Sequence, residues 1–233
     1  MQKCPKCRDT RHVKNGIVRN KQRYKCKGCG CNYTQSSLSR TPLSERIQCI
    51  ELYLEGVGFR GIERLTGKSH VSVMRWVRKL GDRIEDFKKC DKKTVKEAES
   101  VSIMELDEMW HFIQKKKDKC WIWLAYDRDG RRVCGFELGA RDTENCKKLW
   151  NQLEMFDILQ VCTDAYRAYA AVIPEELHIV TKAETSAVEA LNSRIRHYLA
   201  RFKRKTFCYS KAIHMVKATL NLFFETNWKQ FIY

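Results

Sequence analysis

Four cysteines near the amino terminus constrain the fold of this chain more tightly than any other feature. They form two C-x2-C pairs on either side of residues 8–25: Cys4 with Cys7, and Cys26 with Cys29. Each pair makes a tight turn, and four thiolates complete the tetrahedral coordination that Zn²⁺ prefers. So short a segment cannot fold on apolar burial alone, whereas zinc contributes about 10 kcal/mol or more to such modules. Residues 1–38 are therefore predicted to form a zinc-binding module.

The fourth ligand of this module has two candidates. Cys29 keeps the second pair at the same spacing as the first, and Cys31 is the alternative. We favour Cys29 because it preserves that symmetry. Between the pairs, Asn15-Gly16 is typical of a two-residue turn, so a short β-hairpin that turns at these residues is expected.

The charge of the chain indicates a polyanionic partner. Lys and Arg number 45 against 28 Asp and Glu, which gives a formal net charge of +17. An excess of this kind suits nucleic acid, and no purely basic amphipathic helix favours a membrane surface instead. No apolar run reaches the roughly 18 residues of a membrane span, and no signal-peptide core follows Met1. We expect a cytoplasmic, nucleoid-associated protein, in which the 12 cysteines are metal ligands and free thiols.

Residues 41–82 have the pattern of a helix-turn-helix DNA-binding domain. Helical apolar spacing recurs in three short segments, and a turn containing glycine separates the second from the third. The third helix is predicted from His70 to about Leu80, with Val71, Met74 and Val77 directed inward. Its outward positions are candidates for contact with double-stranded DNA, namely Arg75, Arg78 and Lys79. A small helical bundle with a basic face is the alternative, and residues 83–100 are predicted to be a linker of mixed charge.

Residues 101–233 predict an α/β domain. The first strand begins at Val101 and is predicted to end at Asp107, and two further strands follow with hairpin turns between them. The next elements are a helix from Asp142 or Thr143 to about Phe156, strand 158–162, helix 165–173, strand 178–180 and helix 185–203. This order suits a ribonuclease-H-like mixed sheet. The whole chain is thus predicted to be multidomain, with a zinc module and an all-α helix-turn-helix before an α/β catalytic domain that has carboxyl-terminal helices.

Three carboxylates of this domain are predicted to converge. Asp107 and Asp164 follow strands that are neighbours in such a sheet, and Glu189 lies at the edge of the apolar face of the last helix. Convergent carboxylates repel one another unless cations intervene, and their hard oxygens suit Mg²⁺. Two ions about 3.5–4 Å apart would activate a water or a 3′-hydroxyl at a phosphodiester. Glu108 is the alternative to Asp107, Glu184 is the alternative to Glu189, and Asp164 has a second reading as a helix cap.

Two polar residues share the face of Glu189 on the predicted helix. Asn192 and Arg196 lie about one and two turns beyond it. We predict that both contact nucleic acid, with Arg196 holding a phosphate near the scissile bond.

Four segments of the chain resemble the transposases of the insertion-sequence-one family. They are L-D-E-M-W (106–110), C-T-D-A-Y (162–166), V-E-A-L-N-S-R-I-R-H-Y-L-A-R (188–201) and R-K-T-F-C-Y-S-K (204–211). The cysteine pairs and the helix-turn-helix stand in the family's order as well. The resemblance implies a DDE-class transposase whose catalytic triad falls on Asp107, Asp164 and Glu189. Asn192 and Arg196 match polar positions that follow the glutamate in the family.

The resemblance implies a function as well as a fold. Such an enzyme binds the terminal inverted repeats of its element and catalyses Mg²⁺-dependent strand cleavage and transfer, as a homodimer or higher oligomer on paired ends. A non-catalytic zinc and helix-turn-helix DNA-binding regulator is the alternative. A metal-dependent nuclease without strand transfer is a third hypothesis.

Overall fold

The computed structural model describes residues 3–18, 20–34, 41–91 and 98–232. Contacts divide the chain into two compact units, Met1–Glu45 and Arg46–Tyr233. The predicted end of the zinc module at residue 38 and residues 92–97 of the predicted linker lie outside the described residues.

The first unit contains a small antiparallel sheet. Its strands are β1 (His12–Val18), β2 (Lys21–Cys26) and β3 (Asn32–Thr34), in that spatial order. The prediction of a turn at Asn15-Gly16 was wrong, because β1 continues through both residues. Its pairing with β2 shifts register between Lys14 and Ile17, and Gly16 takes a φ of 79° there. A bulge glycine and a turn glycine need the same left-handed conformation, so the sequence signal is the same for both.

Three helices follow, and the second unit begins within the first of them. They are α1 (Leu43–Leu54), α2 (Phe59–Thr66) and α3 (His70–Asp91). The turn after α2 contains Gly67, whose φ of 69° lets its N–H donate to the carbonyl of Glu63. The helix-turn-helix order of elements is therefore present, but α3 is longer than predicted.

The third helix extends past Leu80 because its apolar stripe continues to find a partner. A later helix, α7 (Ile213–Phe224), packs along it, and a Cβ at Gly81 would lie 2.4 Å from the carbonyl oxygen of Ala218. The inward residues of α3 are Val73, Val77, Leu80 and Ile84, whereas Val71 and Met74 are 43% and 37% exposed. The predicted inward positions were therefore wrong for Val71 and Met74. The core of α1–α3 is completed by Met215, Leu222 and Trp228 from the carboxyl-terminal segment.

A five-stranded mixed sheet forms the centre of the second unit. Its strands are β4 (Glu99–Phe112), β5 (Lys119–Asp127), β6 (Arg132–Gly139), β7 (Phe156–Thr163) and β8 (His178–Val180). The spatial order is β6-β5-β4-β7-β8. β5 pairs antiparallel with β4 and β6, whereas β7 pairs parallel with β4 and β8. The first and fourth strands of the domain are thus neighbours, as predicted.

Helices cover both faces of this sheet. They are α4 (Thr143–Asn151), α5 (Arg167–Ala170), α6 (Ser186–Tyr198) and α7, with 3-10 turns at Ala200–Phe202 and Trp228–Phe231. α4 and α5 pack on one face through a core that includes Trp123, Leu149 and Tyr169. α6 and α7 pack on the other through a core that includes Val188, Ile195 and Leu220. In the part of the chain that the structure describes, no helix is long and apolar enough to cross a membrane.

Three of these helices are shorter than predicted. α4 ends at Asn151 because β7 pairs with β4 from Phe156 onward, so the chain must turn before that residue. Asp142 is the N-cap of α4 as predicted, and its carboxylate accepts from the backbone N–H of Asn145. α5 covers only Arg167–Ala170, and α6 ends where Leu199 takes an extended conformation.

Candidate functional site

Asp107 lies at the point where β4 extends beyond β7. Parallel pairing with β7 stops at Glu105, opposite Cys162, whereas antiparallel pairing with β5 continues to Phe112. The prediction that the strand ends at Asp107 was therefore wrong, since β5 supplies hydrogen bonds for five more residues of β4. What ends near Asp107 is the parallel pairing, and the chain leaves β7 there into Asp164.

Helix α6 packs on the face of β4 to which Glu105 and Asp107 point. The Asn192 side-chain amide donates to Asp107 Oδ2 at 2.6 Å, and the backbone N–H of Val188 donates to Glu105 Oε2 at 2.8 Å. Glu189 is exposed and lies about one turn before Asn192, and Thr185 Oγ1 donates to its carboxylate at 3.2 Å. The same face of β4 therefore presents Glu105 and Asp107 to α6.

The electrostatics of Asp107 show that the predicted carboxylates act on one another. Its pKa is raised to about 6, mainly by burial, and the negative charges of Glu108, Asp164 and Glu189 act in the same direction. Among the described residues, only the four cysteines near the amino terminus bring three or more ligand atoms within 4.8 Å of one another. The three carboxylates thus share a field but stand farther apart than the thiols do.

The donor set beside Asp107 fits a hard cation. Carboxylate oxygens are the ligands that Mg²⁺ prefers, and mutual repulsion is what a cation there would relieve. Asn192 Oδ1 is buried and has no hydrogen-bond partner within the described chain. A buried acceptor without a partner costs free energy, and a cation or its hydration water would satisfy it.

An ion-pair network that the sequence did not reveal fixes the start of α6. Glu105 is completely buried and accepts from Arg128 Nε at 2.6 Å. Arg128 also donates to the carboxylate and the carbonyl oxygen of Glu184, both at 2.7 Å. Glu184, the alternative to Glu189, is therefore engaged by Arg128. The available signal was the i, i+2 spacing of Glu105 and Asp107, which puts both on one face of a strand.

Glu108, the alternative to Asp107, lies on the opposite face of β4. Its carboxylate accepts from Arg141 Nε and from the hydroxyl of Tyr169, both at 2.6 Å, and its side chain is 2% exposed. Asp164 accepts from the backbone N–H of Tyr166 at 2.9 Å, which is a turn contact. The second reading of Asp164 as a helix cap was wrong, because α5 begins at Arg167 with Tyr166 as its N-cap.

The four predicted zinc ligands lie together in the first unit. Cys4 Sγ is 3.7 Å from Cys29 Sγ, and Cys7 Sγ is 3.5 Å from Cys26 Sγ. A tetrahedron with Zn–S bonds of about 2.3 Å has S–S edges of about 3.8 Å, so this cluster is compatible with zinc. The backbone N–H of Cys7 lowers the pKa of Cys4 to about 6. Cys31 lies outside the cluster, and its thiol contacts the carbonyl oxygen of Asn32 at 3.7 Å.

The predicted nucleic-acid contacts lie on two helices. Arg75, Arg78 and Lys79 are exposed on α3, as the sequence predicted. Arg196 is half-buried on α6, and its Nη2 donates to the carbonyl oxygen of Trp110 at 3.4 Å. Burial and the positive charge of Arg204 lower its pKa.

Comparison with known proteins gives the class. A family model described as IS1 transposase matches residues 100–230, which is more than half of the chain. An insertion element iso-IS1n protein InsB of Shigella dysenteriae is 31% identical over 123 residues, 53% of this chain and 94% of that protein. An insertion element IS1 protein InsB of Shigella flexneri is 31% identical over 111 residues, 48% of this chain and 85% of that protein. The chain is therefore a transposase.

More particularly, it belongs to the IS1 transposase family, as the resemblance of its motifs implied. One solved structure, the Mos1 transposase catalytic domain with raltegravir and Mg, also matches. Its TM-score is 0.33 and its identity 14%, over 67% of this chain and 86% of that one.

Proposed function

We propose that this chain is a DDE-type DNA transposase with a ribonuclease-H-like catalytic domain, which cleaves element ends and joins them to target DNA. The observation that carries the proposal is the contact between Asn192 and Asp107 at 2.6 Å. This hydrogen bond holds α6, which carries Glu189, against β4 near the end of the parallel pairing between β4 and β7. Asp164 directly follows β7 at that end. This supports the proposal, because Asp107 lies on β4, Asp164 directly follows the neighbouring strand β7, and Glu189 lies on the helix that Asn192 joins to β4.

Each residue has a stated task in this proposal. Asp107, Asp164 and Glu189 would hold Mg²⁺, which when bound supplies an activated water or 3′-hydroxyl and stabilises the leaving oxygen. The Asn192 amide orients the Asp107 carboxylate through its hydrogen bond to Oδ2. Glu105 and Arg128 hold the start of α6, so that Glu189 keeps its place relative to β4.

The test is a cleavage and joining assay. The protein is incubated with element ends, Mg²⁺ and a target plasmid, and the junctions are sequenced. Asp107→Asn, Asp164→Asn and Glu189→Gln should each reduce cleavage by more than about a hundredfold, because even outer-shell changes cost 10–100-fold. Matched changes of exposed carboxyls elsewhere, Asp157→Asn and Glu144→Gln, should leave it unchanged.

Three outcomes would contradict parts of this proposal. A triad variant that cleaves at the wild-type rate removes that residue from the triad. Cleaved ends without junctions indicate a nuclease that does not transfer strands. Specific binding of ends by the wild-type protein without any metal-dependent cleavage indicates the non-catalytic regulator.

End recognition is assigned to the amino-terminal part of the chain. The zinc module and α1–α3 would bind the terminal inverted repeats, with Arg75, Arg78 and Lys79 of α3 directed to double-stranded DNA, and paired ends would assemble a homodimer or larger oligomer. Their exposure on one helix, whose opposite side is buried, supports this role. Arg75→Ala or Arg78→Ala should cost about 1–3 kcal/mol at one base position and relax specificity there. Titrations on ends with single base substitutions measure this, and an equal loss on all DNA would instead indicate a phosphate contact.

A further inference from the structure

The segment between the Ala200–Phe202 turn and α7 forms a loop that is anchored at both ends. On one side Phe202 is buried. On the other, the buried Ser210 hydroxyl lies 3.0 Å from His111 Nε2 and accepts from Arg201 Nη1 at 3.1 Å. The carbonyl oxygen of Ser210 also accepts from the backbone N–H of Gln114 at 2.8 Å. Residues 203–209 therefore extend from fixed points on β4 and on the chain that follows α6.

This loop exposes a large aromatic side chain. Phe207 is fully exposed, and among the described residues no aromatic ring packs against it. Tyr209, two residues further on, does contact the ring of Phe112 at 5.6 Å. The ring of Tyr209 thus packs against the protein, whereas the ring of Phe207 is in solvent.

A basic groove lies beside the first residues of the loop. It is a shallow groove, open to solvent, with a volume of about 460 Å³, and it is lined by Ser193, Arg196, His197, Lys203 and Arg204. Across the described part of the chain, no carboxylate lies within ion-pair distance of Arg196, Lys203 or Arg204. The lowered pKa of Arg196, caused by its burial and by Arg204, shows that these cations repel one another. The groove is therefore suited to an anion.

The groove begins on the helix that carries Glu189. Arg196 lies seven residues beyond Glu189, which is about 10 Å along the axis of α6. A DNA strand whose scissile phosphate is at the acidic site therefore reaches the groove within a few nucleotides.

We propose that this groove and Phe207 bind an unpaired nucleotide of the DNA strand adjacent to the cleavage site. The groove takes a backbone phosphate, and Phe207 stacks on the base. This inference rests on the proposed transposase function. Stacking on an aromatic ring requires a base whose face is free, which a base inside a duplex does not have, and aromatic rings in basic grooves are the usual means of binding single strands.

Charge decides between the two occupants that an exposed aromatic residue could have. A second copy of this chain would bring its own basic loop against Lys203, Arg204, Lys205 and Lys211, and the like charges would repel. A nucleic acid strand supplies the opposite charge and a ring of matching shape. The proposal therefore commits to DNA, and self-association becomes an outcome of the test.

The test compares single-stranded and duplex DNA in EDTA, so that no cleavage occurs. Phe207→Ala should weaken binding of a short single strand roughly 5- to 100-fold, while binding of duplex ends stays within about twofold. Phe207→Trp should bind the single strand about as tightly as the wild type does, and binding should quench the fluorescence of the new tryptophan. Phe87→Ala is the matched control, because Phe87 is also exposed but contacts the ring of Phe231. Arg204→Ala should reduce the slope of log affinity against log salt concentration for single-strand binding by the amount expected for about one phosphate contact.

A single-strand series with one abasic position at a time locates the stacked base. At that position the difference between the wild type and Phe207→Ala should vanish. Unchanged single-strand affinity of Phe207→Ala would overturn the proposal. Loss of dimer in sedimentation without loss of DNA binding would assign Phe207 to self-association instead. Because the binding arm requires no cleavage, failure of the junction assay with intact Phe207-dependent binding would refute the proposed function and leave this binding site standing.

Discussion

The two candidate metal centres of this protein are built in opposite ways. The cysteine cluster takes its ligands from residues close in sequence, with Cys4 and Cys29 only 25 positions apart. The acidic site joins residues from separate elements, and Asn192 is 85 positions from the Asp107 that it contacts. Soft thiolates in the first site converge within 4.8 Å, whereas the carboxylates of the second are farther apart and lie beside a buried hydrogen-bond network.

The two sites therefore differ in what stabilises the surrounding fold, a metal ion or an apolar core. In the described part of the first unit there is little apolar core, so a zinc ion held by the four cysteines would supply most of the free energy that stabilises the fold. In the second unit the sheet and helices form a large core, and the ion pair between the buried Glu105 and the partly exposed Arg128 holds the start of α6 beside β4. Removing metal should therefore unfold the first unit and leave the second folded.

The largest expected effect is the loss of a zinc ligand. Cys26→Ser or Cys4→Ser should abolish zinc binding and unfold residues 1–34, because zinc supplies about 10 kcal/mol or more of the folding free energy of such modules. Metal analysis should fall from one zinc per chain to none, and limited proteolysis should cleave within the first unit. The thermal transition of the second unit should not move. A variant that keeps its zinc, or a second unit that melts with the first, would contradict the contrast.

The next effect concerns the scaffold of the acidic site. Glu105→Ala removes the acceptor of Arg128 Nε and of the N–H of Val188, whereas the other Arg128 nitrogens keep Glu184. Because a buried donor without a partner costs about 1–3 kcal/mol, the loss should destabilise the second unit by roughly 2–4 kcal/mol. Glu99→Ala is the matched control on the same strand. Glu99 pairs with Arg132 at 2.8 Å, but both side chains are substantially exposed, so its loss should cost about 1 kcal/mol or less. Equal changes in the unfolding free energies of the two variants would mean that the buried pair does not hold this site.

The cysteine cluster was predicted from the sequence more completely than the acidic site, because its ligands are closer together along the chain. Ligands close in sequence leave a spacing that can be recognised, so the cluster of Cys4, Cys7, Cys26 and Cys29 was predicted directly. The adjacency of β4, which carries Asp107, and β7, which Asp164 follows, was predicted from the order of elements. The end of β4 did not, because an unequal overlap with two neighbours, β5 and β7, decides where it stops.

The remaining misses also depend on long-range packing. Helix α3 continues beyond its predicted end because α7 approaches it at Gly81. The sequence around residue 81 contains no pattern that predicts this contact with Ala218. The spacing of Glu105 and Asp107 puts both on one face of a strand but does not identify Arg128 as a partner, since Glu105 and Glu184 lie on opposite sides of Arg128 along the chain. Val71 and Met74 were assigned inward together with Val77, although Val73 lies one turn before Val77 and fits the same spacing. Packing against α1, α2 and α7 buries Val73 instead.

A smaller effect of opposite sign is expected at Asp107. Its pKa is raised from 3.8 to about 6, so the ionised form is disfavoured in the folded state. The contribution of this carboxyl to stability is therefore fully present below pH 3.8 and is lost as the pH rises from there through 6. At pH 7 without metal this costs about 3 kcal/mol. Asp107→Asn should therefore stabilise the second unit by roughly 2–3 kcal/mol at pH 7 and by little at pH 4. Urea unfolding at both pH values in EDTA measures it, with Asp157→Asn, which is exposed on β7, as a control near zero.

Magnesium sharpens the same measurement. Added Mg²⁺ should stabilise the wild-type protein at pH 7 and have little effect on Asp107→Asn, because only the wild-type carboxylate cluster gains from a cation. An Asp107→Asn variant that is less stable than wild type at pH 7 would show that this carboxylate supports the fold, as the thiols do in the first unit, and the contrast between the two centres would fail.

The smallest expected effect is that of Cys31→Ser, and it tests how strictly the cysteine cluster selects its ligands. Cys31 lies two residues from Cys29, yet its thiol contacts the carbonyl of Asn32 and stays outside the group of four. Serine can make the same contact, so Cys31→Ser should keep one zinc per chain and change the unfolding free energy by less than about 0.5 kcal/mol. Cys29→Ser is the matched change and should lose zinc affinity. If Cys29→Ser retains zinc and only the double variant loses it, Cys31 replaces its neighbour as a ligand. The first centre would then tolerate a shift of two residues in one of its ligands.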